Sequence, residues 1–184
     1  MAGLQAAGHE TRFLICDWQS QGKRFRKYAD ELLQLADKLG LYNKVFISSR
    51  LNDGCSQGVP RNVIFELMDL SNVYIHPSRA ETYSLTVHEA ALRGNLLVLN
   101  HDWPAMRELF GDSAIYMDFD SDIGPGRKYS PSEQEFWNDE AFRLLAELRV
   151  NRVVTAKTRA RTLWTPQALW SEFEPLLYLK PCQE

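Results

Sequence analysis

The chain has 184 residues, of which 45% are hydrophobic and 24% charged, and its formal net charge is −3. These values are typical of one globular domain with a sizeable hydrophobic core. The slightly acidic balance excludes a global basic field, so we do not expect nucleic acid as a partner. We find no signal-peptide pattern and no apolar run of bilayer length, and we therefore expect a cytoplasmic protein. Peripheral membrane contact through an amphipathic helix stays open.

Five short apolar runs rich in β-branched and aromatic residues predict strands at 12–16, 44–48, 72–76, 96–100 and 114–118. Most are nearly continuous rather than alternating, as expected of strands buried on both faces. Helical patterns lie between them. The clearest has apolar residues from Phe25 to Leu39 and stops at Gly40, and others cover 61–70, 85–93 and 103–110. This alternation predicts an α/β fold with a Rossmann-like parallel sheet flanked by helices.

The pattern changes after the last predicted strand. Residues 119–132 contain Gly and Pro together and are typical of a loop, and three helical stretches follow at about 133–149, 150–163 and 166–178. We therefore expect a Rossmann-like domain over 1–132 and C-terminal helices over 133–184 that pack on the same domain.

Metal-ligating residue types do not form a recognisable site. The three cysteines are far apart and odd in number, and the four histidines lack zinc spacing. Asp118 and Asp120 form an Asp-x-Asp sequence, which we interpret as ordinary turn chemistry because it leads into a loop. We expect no metal and no cofactor. His88 is expected either on the helix surface or in the hydrophobic core of the domain. His76 lies at the end of a strand and could reach a ligand.

Two carboxylates carry the main functional signal. Glu81 follows the strand at 72–76, and Glu89 lies in the helix at 85–93. Ligands bind at this edge of a parallel sheet, helix N-termini favour phosphate groups, and carboxylates accept hydrogen bonds from sugar hydroxyls. The alternative is a capping box with Thr86 as N-cap, in which Glu89 only satisfies backbone amides and Glu81 is a surface loop residue.

The order of elements from residue 60 to residue 118 resembles the C-terminal, donor-binding domain of the group 1 (family 4) retaining glycosyltransferases, which have the GT-B fold. The resemblance rests on Val59 and Pro60, the strand and Pro-Ser at 73–78, Glu81, Glu89 and Ala90, the turn at 93–95, the strand at 97–100, and Glu108.

By this resemblance the chain binds a nucleoside-diphosphate sugar as substrate, for retaining transfer of a hexose to a glycan, lipid or small-molecule acceptor. Glu81 is the implied catalytic residue, in contact with the transferred sugar, and Glu89 holds the ribose. The other implied donor-binding residues, several through their backbone amides, are Thr82, Tyr83, Ser84, Leu85, Thr86 and His101.

The sequence also departs from the family pattern. Thr82, Tyr83 and Ser84 follow the first Glu where the family usually carries glycines, as in EGFG, so both loop glycines are lost. The strand at 12–16 matches the family's second strand rather than its first. The first strand, its phosphate-binding Arg and Lys, and an N-terminal acceptor domain have no counterpart. We therefore expect a missing domain or a partner chain, with a homo-oligomer left open. A catalytically inactive binding or assembly module is the alternative, and an epimerase is a third hypothesis.

Overall fold

The computed structural model describes residues 1–6, 8–17, 23–51, 58–78, 83–101, 103–119 and 152–163, and the single positions Asp139, Arg143 and Ser171. It divides into two compact units. The first comprises Met1–Leu67 and Asp120–Arg149, and the second comprises Met68–Phe119 and Val150–Glu184. The domain boundary predicted at residue 132 lies outside the described residues and stays a prediction.

The first unit contains a pair of parallel strands and the helices around them. In chain order it has α1 (Ala2–Ala6), β1 (Phe13–Ile15), α2 (Lys23–Lys38), β2 (Val45–Ile47), a short 3-10 helix (Ser48–Arg50) and most of α3 (Arg61–Leu70). Phe13 pairs with Val45, and Ile15 pairs with Ile47. The helix predicted between Phe25 and Leu39 is confirmed by α2. Tyr28 and Leu39 are 51% and 38% exposed, whereas Ala29 and Ala36 are buried.

The second unit contains three parallel strands in the order β3–β4–β5. Its elements are β3 (Val73–His76), α4 (Leu85–Arg93), β4 (Leu96–Asn100), α5 (Pro104–Phe110), a 3-10 helix (Gly111–Ser113), β5 (Ile115–Met117) and α6 (Arg152–Leu163). All five predicted strands are therefore present, and the parallel, Rossmann-like α/β class is confirmed. The strands hydrogen bond in two ladders, one in each unit.

The core of the second unit is built around β4. All five residues of this strand are buried, as its uninterrupted Leu-Leu-Val-Leu sequence predicts for a strand covered on both faces. Val87, Ala90 and Ala91 of α4 are fully buried, as are Met106 and Phe110 of α5. Helix α6 packs against α4, and its Ala156 and Ala160 are 0% and 1% exposed.

The predicted helix at 150–163 is confirmed by α6. The helices predicted at 133–149 and 166–178 lie outside the described residues, apart from single positions. Within the described part of the chain, no helix has both the length and the apolar character needed to cross a membrane.

A tight turn connects α4 to β4 and sets where β4 begins. Gly94 ends the helix in the left-handed conformation with φ of 87°, which glycine adopts without steric cost. The next residue, Asn95, is 1% exposed, and its Nδ2 atom donates to the carbonyls of Met68 and Ser71, each at 2.7 Å. The amide thereby ties the turn to the end of α3.

Candidate functional site

The carboxyl ends of β3, β4 and β5 define one edge of the parallel ladder in the second unit. His76 is the last residue of β3, His101 follows β4, and Asp118 follows β5. The chain leaves β3 at this edge and re-enters the unit as α4, so the N-terminus of α4 lies there as well. In open parallel sheets this edge is the usual ligand site.

Helix α4 begins earlier than a Thr86 capping box requires. Its N-cap is Ser84, with φ of −110° and ψ of 106°, and its first helical residue is Leu85. The Ser84 hydroxyl lies 3.0 Å from the Thr86 hydroxyl and makes no hydrogen bond to a cap amide. Thr86 is therefore inside the helix and Glu89 is its fifth residue, so the capping-box interpretation of Glu89 is wrong.

Five of the predicted donor-binding residues that the structure describes lie around the start of α4: Tyr83 directly before the N-cap, Ser84 as the N-cap, and Leu85, Thr86 and Glu89 in the first two turns. The sixth, His101, follows β4. Leu85 is 64% exposed, Thr86 is exposed, Ser84 is 4% exposed, and Glu89 is half-buried one turn further along. The first backbone amides of a helix have no acceptor within it, and they carry the positive end of the helix dipole. Glu81 and Thr82 lie outside the described residues, so their placement stays a prediction.

His88 contributes to this turn in a way that the sequence did not indicate. It is 5% exposed, and its Nδ1 atom lies 2.9 Å from the carbonyl oxygen of Ser84, so Nδ1 carries the proton and donates. Its ring stacks on Tyr83 at 4.5 Å with an interplanar angle of 19°. Burial lowers the pKa of His88, against the smaller raising effect of its bond to Ser84, and burial raises the pKa of the Tyr83 phenol. The core alternative for His88 is confirmed.

A second group of rings lies beside the end of β3. His76 stacks between Tyr74 and Trp103, with ring centroids 6.0 Å and 5.3 Å apart respectively. The Tyr74 hydroxyl lies 3.3 Å from Nδ1 of His76. Trp103 is 2% exposed and is the N-cap of α5, as expected of a packing residue. His76 is therefore at the predicted edge, held in place by its neighbours.

His101 is exposed at the end of β4, where we predicted a donor contact. Its backbone N–H donates to Met117 at 2.9 Å, and its carbonyl accepts from Nε of Arg107 at 2.9 Å. The Arg107 guanidinium lies 4.3 Å from the centre of the Tyr116 ring. Arg107 is thus a cation near this edge that the sequence analysis missed. A helical pattern does not indicate that the side chain extends toward the preceding strand.

The edge of the first unit carries a different arrangement. The Asp17 carboxylate follows β1 and accepts hydrogen bonds from the Ser48 hydroxyl at 3.0 Å, the Ser49 amide at 3.0 Å and the Ser49 hydroxyl at 2.7 Å. Burial by itself raises the pKa of Asp17, but these hydrogen bonds outweigh it and lower the pKa. The carboxylate is held by the short 3-10 helix that follows β2, which indicates a structural role.

Among the residues that the structure describes, no three His, Cys, Asp or Glu side chains are grouped so as to hold a metal ion. Asp120 lies outside those residues, so the expectation that no metal is needed stays a prediction.

Comparison with known proteins supports the fold. The chain is similar to the crystal structure of a glycosyltransferase from Rickettsia africae, with a TM-score of 0.61 and 16% identity over 95% of this chain. It is also similar to a sucrose-phosphate synthase from Thermosynechococcus elongatus, with a TM-score of 0.60 and 15% identity over 96% of this chain. It spans 41% and 40% of those two chains. No protein-family model and no curated protein sequence matches it.

Proposed function

We propose that this chain is the donor-binding part of a retaining glycosyltransferase and acts in the cytoplasm. It binds a nucleoside-diphosphate sugar and takes part in transferring its hexose to a glycan, lipid or small-molecule acceptor. One observation carries the proposal. The N-terminal turn of α4, with Ser84 as N-cap and Glu89 one turn further, opens at the carboxyl edge of a parallel ladder whose fold is shared with glycosyltransferases.

The chemistry of a nucleotide-sugar fits this edge. The amides at the start of α4 receive the diphosphate, and the positive end of the helix stabilises the negative charge that develops on the leaving phosphate. Glu89 accepts hydrogen bonds from the ribose hydroxyls, and Glu81 accepts them from the sugar. His101 and the backbone of residues 82–86 line the same ligand. No metal is part of this proposal.

The acceptor site belongs to another part of the enzyme. The chain spans about two fifths of each of the two solved structures described above. We therefore propose that an N-terminal acceptor domain or a partner chain completes the active site. The partner chain can be a second copy of this chain.

A binding or assembly module without catalytic activity is the second candidate. The absence of the family's loop glycines is one sequence feature in its favour. Ser84 weakens that argument, because it is 4% exposed and its backbone has an extended conformation that any residue adopts. A serine at this position therefore does not require the backbone freedom of glycine. Because its side chain is buried, it also leaves the space for the ligand open.

Thermal unfolding with UDP, GDP, ADP and their sugar conjugates tests the proposal. A ligand at about 100 times its Kd adds about 2.7 kcal/mol to the free energy of unfolding, which raises Tm by roughly 5–10 °C for a protein of this size. We expect one nucleotide to give this shift and Glu89→Gln to abolish it. Glu66→Gln, which removes the same charge from the exposed face of α3, is the matched control and keeps the shift.

The absence of a shift with every nucleotide, in a sample that unfolds cooperatively, would contradict donor binding and favour the binding module. If Glu89→Gln binds nucleotide as tightly as the unmodified chain does, the role of Glu89 is refuted, but donor binding by the chain is not.

A further inference from the structure

We propose that His88 is a positioning residue, which holds the turn at 83–86 in the conformation that binds the donor. This inference rests on the proposed donor site and adds to it a residue from inside the helix. His88 is four residues beyond the N-cap and 5% exposed, so it acts through the turn rather than by touching the ligand.

The hydrogen bonds at the N-cap show how His88 acts. The carbonyl oxygen of Ser84 accepts from the backbone N–H of His88 at 3.4 Å and from its Nδ1 at 2.9 Å. A carbonyl has two lone pairs and can accept both. The side-chain bond is the shorter one, and the Ser84 hydroxyl caps no amide. The first turn of α4 is therefore closed mainly by an imidazole one turn further along the helix.

The imidazole ring also supports the loop that precedes the helix. One contact is the near-parallel stack on Tyr83 at 4.5 Å, and another is Phe110 of α5, at 5.1 Å with an interplanar angle of 51°. Tyr83 is 38% exposed, whereas Phe110 is fully buried. His88 thus connects a half-exposed loop residue to the core of the unit. An aliphatic residue would fill this space without bonding Ser84.

Two substitutions separate the hydrogen bond from the stack. His88→Asn retains an N–H donor close to the position of Nδ1 but removes the ring, and His88→Phe keeps a stacking ring but removes the donor. Leu97→Ala, in the buried strand β4, is the control for general loss of stability. For each variant we measure hydrogen exchange of the backbone amides of residues 88 and 89 without ligand, and the Kd for UDP, GDP and ADP.

We expect His88→Phe to speed exchange of these two amides at least tenfold beyond Leu97→Ala. We also expect it to raise the Kd of the nucleotide that binds about tenfold, equivalent to about 1.4 kcal/mol. His88→Asn should restore most of both values, because the bond to Ser84 is retained.

The two readouts fail in different ways. If these two amides exchange no faster in His88→Phe than in Leu97→Ala, the proposed hold of His88 on the turn is refuted, whatever the nucleotide affinities are. Faster exchange with an unchanged Kd would reduce His88 to a structural residue and refute its positioning role. If the unmodified chain binds no nucleotide, the donor-site proposal fails and the positioning role fails with it. The exchange data then still show whether the bond from His88 to Ser84 stabilises the turn.

Discussion

Replacement of Asn95 by alanine tests how the turn between α4 and β4 is held. The side chain is buried and donates two hydrogen bonds of 2.7 Å, to the carbonyls of Met68 and Ser71. A net contribution of about 1 kcal/mol for each of the two bonds predicts a loss of about 2 kcal/mol in the free energy of unfolding. For a chain of this size that loss lowers Tm by roughly 4–8 °C.

Urea unfolding followed by circular dichroism measures this loss as a lower midpoint, provided that the slope of the transition is unchanged. Asn72→Ala is the matched control, because Asn72 is exposed beside the same turn and lacks these side-chain bonds. We expect the control to stay within about 0.5 kcal/mol of the unmodified chain. A loss below about 1 kcal/mol for Asn95→Ala would refute the reasoning, since it would mean that water replaces both bonds at no cost.

Three further predictions concern stability. The lowered pKa of His88 means that the unfolded state, with a pKa near 6.5, binds a proton more readily than the folded state. The free energy of unfolding should therefore be highest above pH 6.5 and fall below it by up to about 1.4 kcal/mol per pH unit, with a flatter profile in His88→Phe. Ala160→Leu should overpack the buried side of α6 and cost about 1–3 kcal/mol in urea unfolding, whereas Arg161→Leu, at an exposed position, should cost little. Ser48→Ala removes the buried hydroxyl that bonds Asp17 and should cost about 1–2 kcal/mol; an unchanged midpoint would contradict the structural role of that pair.

The strands were predictable because burial on both faces leaves a local signal. The run at 96–100 is apolar at four consecutive positions, and the structure has β4 at Leu96–Asn100. The helices between the strands were predictable from their periodicity, although Tyr28 in α2 is more exposed than its spacing suggested. Which side of an amphipathic helix is covered depends on where the neighbouring strands lie, and a single segment does not contain that information.

The candidate site was predictable in part. The position of Glu89 near the start of a helix after β3 follows from the order of elements, and the structure agrees. The start of that helix was ambiguous, because Thr86 and Glu89 have the spacing of a capping box. The structure resolves this in favour of Ser84, whose carbonyl is held by the His88 side chain.

The sequence by itself determined the α/β class and the order of strands and helices, because these properties depend on local composition and periodicity. Its resemblance to the group 1 glycosyltransferases implied the segment that carries the candidate donor residues. Only the tertiary structure decided that His88 closes the turn at Ser84, that Asn95 ties β4 to the end of α3, and that Arg107 reaches the end of β4. These contacts depend on side-chain directions and on the packing of segments between 4 and 27 positions apart in the chain. The energy of such contacts comes from burial and hydrogen-bond geometry, which exist only once the elements have packed.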